Sequence, residues 1–120
     1  MFNIYSFLEP VRARTAMYVG EQSLTGLRCF LDGYAMALHD HEIPVEPLGI
    51  WRPMSRELPY FHGWVTRRLG FGNAMLGYSQ AILKHTNGDE VAALALFWEL
   101  LDEYRALESE VDGAVLPEAE

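Results

Sequence analysis

The feature that most constrains this chain is a spacing of apolar residues that suits helices and recurs from end to end. It is clearest from Glu90 to Glu108, where Val91, Leu94, Ala95, Trp98 and Leu101 line one face. Phe97, Leu100, Tyr104 and Leu107 widen that face, while Glu99, Asp102, Glu103 and Arg105 fill the remainder. Residues three, four and seven apart share one side of a helix, so a stripe of this kind needs a core to lie on. No segment alternates apolar and polar residues with period two over the length of a strand. The expectation is an all-α fold, a single domain over residues 1–120 built from about five helices, with 113–120 as a flexible acidic tail.

The remaining helices follow from caps and breakers. Asn3 caps a first helix in which Ile4, Leu8 and Val11 follow the same spacing, ending near Thr15. Ala16 to Gly20 reads as a short connecting segment. Ser23 caps helix two, whose stripe is Leu24, Leu27, Leu31, Tyr34, Ala35 and Leu38. Pro44, Pro47 and Pro53 then forbid a regular helix, yet Val45, Leu48, Ile50 and Trp51 are too apolar for a solvated linker. Residues 40–58 are therefore expected to form an ordered loop over the core. Helix three begins with Pro59 in its first turn and ends at Gly70, with Phe61, Trp64, Val65 and Leu69 buried and Arg67 and Arg68 favourably placed at its C-terminal end. Gly70-Phe71-Gly72 is a helix break. Asn73 caps a fourth helix to His85 that buries Met75, Tyr78 and Ile82, Asn87-Gly88 is a turn, and Asp89 caps the last helix.

Charge is distributed unevenly. The chain carries 9 Lys and Arg against 17 Asp and Glu, a net of −8. Residues 1–70 balance, so the whole excess belongs to the last fifty. Such a surface repels nucleic acid and anionic lipid and attracts cations or a basic protein, or it serves solubility alone. A single cysteine, Cys29, forms no internal disulfide, and neither a membrane span nor a basic leader is evident. A cytoplasmic protein with no membrane partner is the expectation. Cys29 beside Phe30 and Leu31 reads as a buried structural thiol, and Trp51, Trp64 and Trp98 as core.

Arg12-Ala13-Arg14-Thr15-Ala16-Met17-Tyr18-Val19-Gly20 resembles the Arg-x-Arg-Pro-x-Met-Tyr-Ile-Gly segment of type II topoisomerase ATPase domains. That family's catalytic Glu would fall near Gly33 and its metal-binding Asn near Ala37, and neither side chain can polarise water or hold magnesium. The chain also resembles a group of small bacterial proteins with the same opening, a Ser23-to-Tyr34 segment, Phe61-His62-Gly63-Trp64-Val65 and a final Leu96-to-Glu103 helix. These are similar to immunity proteins that neutralise toxins. The resemblance implies an inhibitor with a basic toxin as partner.

No catalytic constellation is present at the level of residue pattern, so the reading is not an enzyme and assigns no cofactor. His39-Asp40-His41-Glu42 has metal-ligand residue types, but positions two apart on a helix diverge, and a solvated helix end accounts for them. The favoured function is an acidic protein-binding module using Glu99, Asp102 and Glu103. The alternative is a small-ligand protein or enzyme with an aromatic pocket between loop 40–58 and helices two and three, from Arg14, Tyr18, Tyr34, Trp51 and His62. Arg12, Arg14, Arg52, Arg56, Arg67 and Arg68 either gather as a basic patch or bridge internally to the acidic last helix. A homodimer through the apolar last helix is also compatible with the pattern.

Overall fold

The computed structural model describes residues 1–72 and 76–115. Among them are six α-helices: α1 (Ile4–Ala13), α2 (Thr15–Val19), α3 (Leu24–Asp40), α4 (Phe61–Arg68), α5 (Tyr78–His85) and α6 (Glu90–Val115). The chain is all-α, and a 3₁₀ turn at Gly49–Trp51 sits inside the proline-containing loop. The one extended pairing among the described residues is an isolated parallel bridge between Phe2 and Val45. No described helix is long and apolar enough to cross a membrane. The expected Asn73 cap and the burial of Met75 lie outside the described residues, as do positions 116–120 of the expected tail.

The caps act as their chemistry requires. Asn3 Oδ1 accepts the backbone N–H groups of Tyr5 and Ser6 at 2.9 and 3.3 Å, and Ser23 Oγ accepts that of Gly26 at 2.9 Å. Asp89 Oδ1 accepts the Ala92 N–H at 3.0 Å and so opens α6. Asn87 and Gly88 both have positive φ, 56° and 83°, which makes the tight α5–α6 turn.

Four boundaries differ from the sequence reading. Residues 15–19 form a short helix rather than a connector, because Thr15 Oγ1 donates to Val11 O at 2.9 Å and Gly20, at φ 96°, closes the turn. The helix count among the described residues is therefore six. Pro59 precedes α4 instead of entering it, α5 starts at Tyr78, and α6 continues through residues 113–115.

The core is one cluster centred on α6, with Leu8 and Val11 of α1, Leu24, Leu27 and Leu31 of α3, Phe61 and Val65 of α4 and Ile82 of α5 against it. Phe61 makes edge contacts with Phe97 and Tyr104, at centroid distances of 6.1 and 5.2 Å. The buried stripe of α6 is rotated from the expected one. It runs through Ala93, Leu94, Phe97, Leu100, Leu101 and Tyr104, so the expected Leu94 and Leu101 are kept, whereas Val91 is 63% exposed and Ala95 is also exposed. Trp98 lies at the edge of that stripe and is buried because α1 covers it, the Arg12 guanidinium standing 5.5 Å over its ring. Trp51 and Trp64 pack on the core and are half-buried. Cys29 is exposed, contrary to expectation. It is two residues from both Leu27 and Leu31, and that offset carries it to the outer side of α3.

Candidate functional site

The acidic residues of α6 are mostly engaged inside the molecule. Asp102 makes a two-pronged ion pair with Arg12 at 2.8 and 3.0 Å, and Glu103 makes another with Arg68 at 2.9 and 3.1 Å. Both pairs are half-exposed and contribute about 0–1 kcal/mol each, so their main effect is to occupy groups otherwise available to a partner. Glu99 is exposed and makes no ion pair among the described residues. Glu90 turns back to α3, accepting from the Thr25 N–H at 2.9 Å, from Thr25 Oγ1 at 2.5 Å and from Ser23 Oγ at 3.2 Å. Burial alone would raise its pKa, but these hydrogen bonds to the carboxylate outweigh burial and hold it below the usual range.

One residue that the apolar spacing places at the end of the last helix proves central. Glu108 is 3% exposed and accepts hydrogen bonds from Tyr5 Oη, from the Gly49 N–H at 2.9 Å and from Arg52 Nη1 at 3.1 Å. Arg52 also reaches Asp112 at 2.9 Å. Tyr5 is desolvated and faces this carboxylate, so its phenol pKa is driven well upward and it stays a neutral donor. Gly49 is required here by both backbone and space. Its φ is +60°, and a Cβ would lie 3.1 Å from Ile4 Cγ2 and 3.3 Å from the Tyr5 ring. The cluster ties α1, the loop and α6 together with every Glu108 oxygen satisfied. A signal for it existed: Glu108 follows Tyr104 by four on the buried side of the helix.

The expected aromatic pocket separates into two places. Tyr34 and Trp51 both pack on Phe2, at 5.5 and 5.6 Å, and Tyr18 joins the same row through Phe30 at 6.3 Å. Tyr34 and Trp51 are half-buried, and Tyr18 is exposed at 40%. Trp51 also walls a small apolar cleft of about 210 Å³ with Leu38, Ile43 and Val45. Arg14, exposed between α1 and α2, lines neither that cleft nor the cavity that holds His62. Beside the aromatic row, the outer side of α3 leaves Cys29, Gly33, Met36 and Ala37 exposed, and a Cβ added at Gly33 would meet nothing within 4 Å.

His62 belongs to a second, polar cavity of about 540 Å³, bounded by α3, α4 and α5. Its walls include Thr25, Arg28, Asp32, Tyr78 and Gln80. The Tyr78 N–H donates to His62 Nδ1 at 3.0 Å, which places the imidazole proton on Nε2. Burial lowers the His62 pKa, favouring the neutral ring. Arg28 and Asp32, one turn apart, pair at 3.0 Å on the cavity wall. Tyr78 is 3% exposed, and its hydroxyl is the one buried side-chain polar atom without a partner among the described residues. Comparison with protein-family models, with curated proteins and with solved structures finds no match to this chain.

Proposed function

We propose that the protein is an acidic protein-binding module for a basic partner, an immunity-type inhibitor in the sense that the opening-segment likeness implies, and that it docks through α2 and the outer side of α3. The observation that carries this reading is the uncovered apolar surface formed by Met17 and Tyr18 on α2 with Cys29, Gly33, Met36 and Ala37 on α3. A solvated helix face ordinarily carries Lys and Glu, and contiguous exposed apolar surface beside aromatic rings marks contact with another macromolecule. Gly33 sharpens this. A mid-helix glycine costs about 0.5–1 kcal/mol relative to Ala, and nothing in the chain packs close enough to demand it. Close approach of an outside backbone would.

The surface differs from the Glu99, Asp102, Glu103 set read from the sequence, because Asp102 and Glu103 are held by arginines. Charge still selects the partner. Arg12, Arg28, Arg52 and Arg68 each pair with a carboxylate of the same chain, and the net of −8 remains as the long-range field. That field steers a cationic protein toward the molecule and repels a second copy.

The test compares the immobilised full chain with its Tyr18→Ala variant in retaining proteins from the producing cell. The reading expects one cationic protein held by the wild type at low salt, released near about 1 M salt as screening shortens to roughly 3 Å, and lost from the variant. Equal retention by both chains, or a retained partner that is itself acidic, would contradict it.

A further inference from the structure

The cleft beside Trp51 adjoins the proposed docking surface. Met36, on the outer side of α3, has His39 and Asp40 as its helix neighbours three and four residues on. His39 lines the cleft together with Ala35, Leu38, Ile43, Val45 and Trp51, and is the one polar side chain of the six. Small-molecule sites usually measure about 300–1,000 Å³ and gather several polar groups. This cleft, of about 210 Å³, is instead of a size for a single apolar side chain. The surrounding charge has one sign. From Cys29 to Trp51 the chain carries Asp32, Asp40, Glu42 and Glu46 and no Lys or Arg. Arg28 takes Asp32, but Asp40, Glu42 and Glu46 pair with no Lys or Arg among the described residues. In α6 the arrangement is the reverse, with Asp102, Glu103 and Glu108 all held by arginines. Glu42 also stands at φ 53°, just past the end of α3, where glycine fits better, as Gly20 does after α2. The residue after it, Ile43, is 45% exposed at the cleft.

We infer that this cleft takes one aliphatic side chain of the basic partner, from a segment that carries Lys or Arg on both sides of it. The inference rests on the docking reading and adds the anchor that fixes the partner's position on α3. Trp51, Ile43 and Val45 supply the apolar walls, and Asp40 and Glu42 supply charge complementary to the flanking cations. The combination is what selects. A basic segment without an aliphatic residue gains only ion pairs in water, which contribute little. An acidic segment with the same aliphatic residue meets like charge at Asp40 and Glu42. A segment with both features gains the apolar contact and the charge pairing together, as the anchors of protein interfaces do.

The experiment is an NMR titration of the full-length protein at low salt with the peptide Lys-Lys-Leu-Lys-Lys. Lys-Lys-Gly-Lys-Lys and Glu-Glu-Leu-Glu-Glu serve as comparators, and the series is repeated on Ile43→Ala and Glu42→Gly. The expected result is saturable movement of the Ala35, His39, Ile43 and Val45 amide signals with the first peptide and with neither comparator. Ile43→Ala should weaken that binding about fourfold or more, as apolar wall is lost. Glu42→Gly should weaken it about two- to fivefold while the melting temperature holds or rises, since glycine suits the backbone there. The inference is overturned if the first peptide leaves the cleft signals unmoved, if either comparator moves them as much, or if Glu42→Gly binds as tightly as wild type. Its failure is separable from that of the docking reading, because Tyr18 does not line the cleft. Unmoved cleft signals in a chain that still retains a Tyr18-dependent cationic protein would sink the anchor alone. Saturable peptide binding in a chain that retains no such protein would support the anchor site and sink the docking through α2.

Discussion

At the scale of single residues, Glu108 has the largest structural consequence. It holds Tyr5, Gly49 and Arg52 at once, and Arg52 is itself only 11% exposed. Glu108→Ala should cost about 2–4 kcal/mol, because it strands the buried Gly49 N–H and the Tyr5 phenol together and leaves Arg52 with Asp112 alone. Glu108→Gln keeps the shape and should cost less. Denaturant unfolding of the two variants checks the order, and a cost below about 1 kcal/mol for Ala would show that the cluster does not tie the loop down. Tyr104 gives a prediction in pH. Its hydroxyl donates to Pro59 O at 2.7 Å, and burial, followed by the nearby Glu108 charge, raises its pKa to about 12. A folded pKa above the unfolded value of about 10 favours the native state fully below pH 10. That contribution disappears as pH climbs from about 10 to about 12. Stability measured across that range should fall in wild type and fall less in Tyr104→Phe.

At the scale of elements, the helices were legible wherever apolar spacing and caps agreed. Asn3, Ser23 and Asp89 all cap helices at the expected places, and the Ile4, Leu8, Val11 stripe is buried throughout. The spacing failed where two neighbouring stripes compete on one helix. In α6 the run Val91, Leu94, Ala95, Trp98 overlaps Ala93, Phe97, Leu100, Tyr104; the whole second run is buried together with Leu94 and Trp98 of the first, and packing against α3, α4 and α5 leaves Val91 and Ala95 outside. The α2 helix was hidden because five residues are too few for periodicity, and its start depends on a Thr15 side-chain bond rather than an apolar pattern. Trp98 nevertheless stays buried, beneath Arg12. Trp98→Ala should therefore cost about 3–5 kcal/mol in denaturant unfolding. Stability equal to wild type would mean that α1 does not close over α6.

At the scale of the whole molecule, sequence located the charge but not its use. The excess in the last fifty residues is visible in composition, yet its pairing with Arg12, Arg52 and Arg68 depends on contacts spanning from 35 to 90 positions of sequence. Glu99 was legible as an exposed acid; Asp102 and Glu103 were legible as surface but not as partners of arginine. Tyr18, Tyr34 and Trp51 do share one aromatic row, while His62 belongs to another wall, because α3 turns opposite flanks toward the two. The apolar outer side of α3 was overlooked since Gly33, Met36 and Ala37 form no stripe of strong hydrophobes. The proposed docking requires that this side be kept open for a partner. Gly33→Gln tests it most directly, because the added side chain enters open space on a helix. The variant should melt a few degrees higher, as Gln favours helix over Gly by up to about 1 kcal/mol, and should hold the basic partner less well. A variant that is stabilised and still binds the partner as tightly as wild type would contradict the claim.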